Sequence, residues 1–252
     1  MTFLGYKLLQ KEKFDVPDVI LVIINSFIFY GLGFALLDDH QTGKELLGLF
    51  TLANAFVHFV VSVIIYRQKL ADKNIHYLIT GLVLVFITLA FPVQLDGNWV
   101  TLLWAGEAAL LFWIGRTKQV SFYEKLSYPL LFLAFFSIIQ DWSDGYASYV
   151  PDIPESRITP LFNVNFLTSV LFIAAFVFIN ILNKTSQPHF QRQKGTANIF
   201  SFIIPGILIF TVYYAFVMEI TTYWNQLFTD SAIEINSEGQ AYPDTYWNYD
   251  LI

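Results

Sequence analysis

The sequence predicts an all-α fold: a polytopic transmembrane helix bundle of about seven spans, N-terminus inside and C-terminus outside. Three observations predict it: a shortage of charged residues, seven long apolar stretches, and a one-sided distribution of Lys and Arg along the chain. Of 252 residues, 56% are hydrophobic, 18% aromatic and only 13% charged, with a mean hydropathy of +0.53. Soluble domains carry about 25% charged residues. A chain with half that share cannot coat its own surface with polar groups, so lipid must be the solvent for much of it.

A helix rises about 1.5 Å per residue, so about 20 apolar residues cross a hydrocarbon layer of about 30 Å. The stretches that meet this run Val19–Leu37, Leu46–Tyr66, Ile75–Pro92, Trp99–Gly115, Phe122–Gln140, Leu161–Leu182 and Asn198–Met218. Residues 1–218 are thus expected to form the bundle and 219–252 an acidic extracytoplasmic tail or loop. The third and fourth stretches, joined by Gln94-Leu95-Asp96-Gly97-Asn98, read as one helical hairpin. Buried helices of a soluble protein seldom reach this length without a polar face.

Charge placement is an independent test. Lys7, Lys11, Lys13, Arg67, Lys69, Lys73, Arg116, Lys118, Lys125, Lys184, Arg192 and Lys194 fall in segments that would all face one side. The other side keeps Lys44 and Arg157. Basic residues collect on the cytoplasmic side, which fixes N-in and C-out. Aromatic residues at span ends suit interface anchoring: Trp99, Trp142, Tyr223 and Trp224 outside, Tyr66, Tyr77, Trp113 and Tyr123 inside.

Several classes are excluded. Cysteine is absent, which removes disulfides, thiolate catalysis and cysteine-ligated metals. A net charge of −6 opposes a nucleic-acid partner. The lysines before the first span are not followed by an Ala-x-Ala-type cleavage site, so no cleavable leader is expected. No Ser-His-Asp set, zinc motif or phosphate-binding glycine loop occurs. His40, His76 and His189 sit at or beyond the membrane boundary, so no haem pair at matched depth is available. No cofactor and no metal site is expected, and an enzyme is the less favoured class. A seven-span receptor or retinal protein would run N-out, and the last span has no Lys for a Schiff base.

The outer loop Asp141–Pro160 and the tail Glu219–Ile252 are acidic. They would be either a cation-binding or docking surface, or, preferred here, outer segments that have lost Lys and Arg and rely on Asp and Glu for solubility.

An ionisable group inside the bilayer is a functional suspect, because a central charge costs roughly 2.5–3.5 kcal/mol on insertion scales. Glu107 is the acid deep in a span, and His58 is its candidate partner. His58 lies eight residues before Tyr66 and Glu107 eight before Gly115, the same depth, about 12 Å from the inner boundary. Asn54, four residues before His58, and Asn25 in the first span would complete a polar layer. Ala105, Gly106, Ala108 and Ala109 would permit close helix approach. The competing reading is interhelical glue, worth about 0.6 kcal/mol per bond, and it is preferred for Asn25 and Asn54. Pro92 and Pro205 would kink or end their spans, and Gly31-Leu32-Gly33 and Pro205-Gly206 would be packing or bending points.

The run from Phe91 to Arg116 contains Pro92, Leu95, Asp96, Gly97, Trp99, Thr101, Leu102, Trp104, Ala105, Glu107, Ala108, Trp113, Gly115 and Arg116. It resembles the hairpin signature Pro-x-x-Leu-x-Gly-x-Trp-x-Thr-Leu-x-Trp-Ala-x-Glu-Ala of a large bacterial family of multi-pass membrane proteins with a domain of unknown function. The preceding span, with Ala53, Ala55, His58 and Arg67, is similar as well, and the likeness covers about residues 46–140. Gly106 departs from it, standing where Leu is common. The resemblance implies a bacterial inner membrane and a longer parent protein with further spans, of which this chain would be a fragment or a short member. It implies no established activity. The function expected is transport or translocation of a small or lipid-linked envelope substrate. The alternative is a structural or scaffolding membrane module. The lipid bilayer is the expected partner, with further spans or membrane proteins beside it.

Overall fold

The computed structural model describes residues 16–68, 73–146, 149–151, 153–184, 196–235 and 244–247, together with Tyr6 and Gln10. In chain order the helices are α1 (Val16–Asp38), the short α2 (Gln41–Lys44), α3 (Leu47–Gln68), α4 (Lys73–Gln94), α5 (Asn98–Thr117), α6 (Ser121–Gly145), α7 (Val164–Lys184) and α8 (Thr196–Asp230). A single 3-10 turn, Pro154–Ser156, lies between α6 and α7. Strands β1 (Ala232–Ile235) and β2 (Asp244–Trp247) follow as an antiparallel pair in the register Ala232↔Trp247. This small sheet lies in the segment expected as an acidic tail or loop.

Each expected span is helical. Among the described residues six helices, α1, α3, α4, α6, α7 and α8, are long and apolar enough to cross a membrane. The expectation was seven. The odd one is α5, which has the length, at 20 residues. Its apolar run is broken by Asn98, Thr101, Glu107 and Arg116, and no stretch of it is apolar enough to stand with the other six. Pro92 and Pro205 lie inside continuous helices and end neither. The acids at 219 and 230 are not tail residues, because α8 passes Met218 and ends at Asp230. At about 1.5 Å per residue its 35 residues reach about 52 Å, well beyond a hydrocarbon core of about 30 Å. Asp141 likewise belongs to α6 rather than to a loop, and Trp142 is buried at 3% exposure instead of anchoring in an interface.

The chain forms two compact units, 1–96 and 97–252. The hairpin expected from the third and fourth spans falls across that division, α4 in the first unit and α5 in the second. In the first unit α3 and α4 pair along their lengths and α1 lies against both. Its core is Ala55, Leu82 and Phe86, with Val22, Tyr30, Ile87 and Leu89 packed around it. Gly33 earns its place there: a Cβ would strike the Phe50 ring, which stacks on Tyr30 at 5.8 Å.

In the second unit α5 packs chiefly on α6 and then on α7, and α7 packs on α8. Val100, Thr101, Ala105, Ala108, Leu111, Phe112 and Gly115 make the buried stripe of α5, at the three- and four-residue spacing of a helix face. The aromatics Phe112, Phe172 and Phe176 are fully enclosed, the last two stacked at 4.2 Å. A ladder of rings joins α6 to α8: Tyr128 on Phe200 at 3.6 Å, Phe135 on Phe210 at 5.5 Å, Trp142 on Tyr214 at 6.1 Å. Offset and edge-on ring pairs contribute about 0.5–1.5 kcal/mol each beyond their buried area. In lipid such packing matters more than in water, because tails are as apolar as leucine and supply no hydrophobic drive between helices.

The turn between α5 and α6 is tight because Gly115 has no side chain. A Cβ there would lie 2.7 Å from the Glu124 backbone nitrogen. Gly106, on the exposed side of α5, faces open space. Gly115→Ala should therefore destabilise the purified protein by about 1–3 kcal/mol through overpacking. Gly106→Ala should be neutral or stabilising by up to about 1 kcal/mol through helix propensity. Thermal unfolding in detergent checks both, and an equal effect at the two sites would contradict this packing.

Candidate functional site

The residues nominated by the sequence are shared between the two units. In the first, His58 on α3 is half-buried. Its Nε2 lies 3.0 Å from Ser26 Oγ on α1, and its Nδ1 lies 2.8 Å from the Asn54 carbonyl oxygen one turn earlier. Asn54 is buried and donates from Nδ2 to the Phe50 carbonyl at 2.9 Å. Asn25 is exposed, and its neighbour Ser26 is the residue that reaches His58. Nearby, Tyr30 and Thr51 hydroxyls meet at 3.0 Å, and Ser62 meets Thr80 at 3.1 Å. Glu107 belongs to the second unit, is half-buried on α5 and is not without a partner. Of the small residues around it, Ala105 and Ala108 are the ones turned into the packing.

Of the hairpin motif, Gly97 has φ +56 and precedes α5 at a position where L side chains are strained. Pro92 and Asp96 are exposed, Trp99 is 66% exposed, and Trp104 is half-buried. Arg116 carries the most structure. Its guanidinium makes a 2.9 Å ion pair with Glu124, donates to Asn183 Oδ1 at 3.2 Å and lies 5.2 Å over the Phe112 ring. Tyr128 donates to the same Glu124 oxygen at 3.0 Å. Arg116, Glu124 and Asn183 thus tie α5, α6 and α7 together at one end. Breaking a buried pair by removing one partner costs about 3–5 kcal/mol, because the other charge is left stranded.

Two further polar clusters escaped the sequence reading. Near the opposite end of α5, Thr101 Oγ1 lies 2.6 Å from both Ser137 Oγ and Asp141 Oδ2. A hydroxyl has one hydrogen, so beside a carboxylate Thr101 donates to Asp141 and accepts from Ser137. Asn98 donates to Asn165, which donates to the Gly145 carbonyl, and the Trp142 indole donates to Ser169. A Cβ at Gly145 would collide with the Asn165 amide, which explains the glycine.

The second cluster fastens the segment between α6 and α7 to the C-terminal reach of α8. Buried Glu219 accepts from Tyr146 at 2.5 Å, from the Leu161 N–H at 2.6 Å and from Asn163 at 2.7 Å. Gln226 bonds both the N–H and the carbonyl of Ile158, at 3.0 and 3.1 Å. Asp230 takes Arg157 and Tyr149, each at 2.7 Å. Residues 219, 226 and 230 follow a seven- and four-residue spacing, which puts them on one helix face. That spacing was the available signal, but it is visible only once α8 is known to continue past Met218.

Burial, with Glu219 as hydrogen-bond partner and neighbouring charge, pushes the Tyr146 hydroxyl well above its usual range. A phenol whose folded value is raised contributes stability below about pH 10, and the contribution is lost as pH rises further.

No group of His, Cys, Asp or Glu that could hold a metal occurs among the described residues. The chain is a multi-pass integral membrane protein in which several buried polar groups pair between helices. No family model, no curated protein and no solved structure matches it.

Two outcomes check the clasp on α8. Glu219→Ala should leave three donors without an acceptor and speed trypsin cleavage after Arg157, whereas Glu155→Ala, at an exposed position, should not. The stability difference between wild type and Tyr146→Phe should be constant up to about pH 10 and narrow above it. A difference that widens would contradict the assigned hydrogen bond.

Proposed function

We propose that the protein is a transport or translocation module of a bacterial cytoplasmic membrane, acting on a small or lipid-linked envelope substrate. On this reading it crosses seven times, N-terminus inside and C-terminus outside, with α5 as a crossing helix. The carrying observation is His58, an ionisable side chain half-buried within an apolar span and answered, among the described residues, by neutral groups. Such a residue in a span is a default proton or substrate contact. Glu107 is the second titrating group of the proposal, in the other unit.

Charge alternation supports the seventh crossing. Were α5 not to cross, Arg116, Lys118 and Lys125 would change sides and the separation of basic residues would be lost. The resemblance of the Pro92–Arg116 run to a bacterial membrane family supports the setting.

A scaffolding role is favoured by a different observation. In the 97–252 unit the buried acids Glu124, Asp141 and Glu219 are each engaged by donors from neighbouring segments. Groups so engaged hold helices in register and need no substrate.

The cysteine-free sequence permits a single-Cys accessibility scan that tests the proposal. A membrane-impermeant thiol reagent applied from outside should label positions 148 and 237 and miss 70 and 190. Cysteines at 58 and 107 should react with a small water-soluble reagent. Labelling at 70 from outside overturns the topology, and silence at both 58 and 107 overturns transport in favour of the scaffold.

A further inference from the structure

The hydrogen bonds around His58 can be counted hydrogen by hydrogen. Three contacts converge: Ser26 Oγ to the Val22 carbonyl at 2.9 Å, Ser26 Oγ to His58 Nε2 at 3.0 Å, and His58 Nδ1 to the Asn54 carbonyl at 2.8 Å. The two carbonyls are acceptors only, and the hydroxyl owns one hydrogen. A neutral ring protonated at Nδ1 satisfies Asn54, but Ser26 must then choose between Nε2 and Val22. A neutral ring protonated at Nε2 satisfies both Ser26 contacts, but sets the Nδ1 lone pair against the Asn54 oxygen. The imidazolium alone supplies a hydrogen to all three.

The surroundings agree. The ring centroid of His58 lies 5.1 Å from that of Phe86, which is fully buried on α4. Aromatic faces attract cations within about 6 Å. The helices against α3 are α1 and α4. Their described titratable and charged groups are Asp18, Tyr30 and Asp38 on α1 and His76 and Tyr77 on α4, while α3 itself adds Tyr66 and Arg67. None of these touches His58, whose contacts are Ser26, Asn54 and Phe86. With no carboxylate in contact with it among the described residues, a charge on the ring can come and go.

We infer that Ser26, His58 and Asn54 form a reversible proton-binding site within the membrane span, loaded as an imidazolium that donates to Ser26, and emptied with reversal of the Ser26 hydroxyl. On loading, one proton adds to Nε2. The Ser26 hydroxyl then turns its hydrogen from Nε2 to the Val22 carbonyl, and no other bond changes. The inference deepens the transport reading by naming its coupling ion, and it rests on that reading only for its purpose.

The test is nitrogen NMR of the full chain, ¹⁵N-labelled at histidine, in lipid nanodiscs, with the His58 signals assigned by their loss in His58→Gln. Between about pH 5 and 8, the range in which histidine changes charge, His58 should pass from both nitrogens protonated to the Nδ1–H form. Ser26→Ala removes the acceptor of a charge-assisted bond and should lower the midpoint by about half a unit to one unit. Ser26→Thr, which keeps a hydroxyl, should retain it. A ring that stays neutral throughout, or a midpoint indifferent to Ser26→Ala, overturns the site. The spectrum is independent of the thiol scan, so a failed transport reading and a failed proton site are told apart.

Discussion

In hydrocarbon there is no water to complete a hydrogen bond, so a polar group carried into the membrane must find its partner within the protein. That constraint organises this molecule more than any single contact. Threonines 51, 88, 168 and 211 return their hydroxyls to the carbonyl four residues back. Longer polar side chains reach across helices, and where they do, helices are fixed in register. An unsatisfied buried donor or acceptor costs about 1–3 kcal/mol, so each cross-helix bond also disfavours the slipped arrangements that would break it.

The two units meet the constraint differently. In the 1–96 unit hydroxyls and imidazoles make the cross-helix bonds: Ser26 meets His58, Tyr30 meets Thr51, and Ser62 meets Thr80 and His76. In the 97–252 unit, charged side chains anchor both ends of α5. Arg116 with Glu124 is at one end, Asp141 with Thr101 near the other, and the rings of α6, α7 and α8 fill the space between. A buried ion pair is weak evidence for net stability, but losing either partner strands the other. The polar clasp on α8 extends the same logic past the hydrocarbon, where a helix of 35 residues would otherwise stand unsupported.

Six of the spans were legible because apolar length is a one-dimensional signal that lipid imposes directly. Helix ends were not. Met218 was read as a terminus because apolarity falls there, yet the polar face of Glu219, Gln226 and Asp230 continues the helix by packing on a neighbouring segment rather than on lipid. Asp141 and Trp142 were misplaced for the same reason: Thr101 and Ser169 answer them from other helices, and the sequence does not reveal who will be adjacent. His58 lies in a span, and the α1 residue that meets it is Ser26, one residue from Asn25, which was expected in the same polar layer. One residue is 100° around a helix, which is enough to turn a side chain from its neighbour to the outside. Hydropathy cannot resolve that rotation.

The account rests on lipid serving as solvent for α1, α3, α4, α6, α7 and α8. Extraction of membranes with alkaline carbonate tests this most directly, since it strips adsorbed proteins and leaves those whose helices lie in hydrocarbon. The full chain should remain wholly in the membrane pellet and leave it only on adding detergent. Recovery of folded, water-soluble protein in the carbonate supernatant would contradict it.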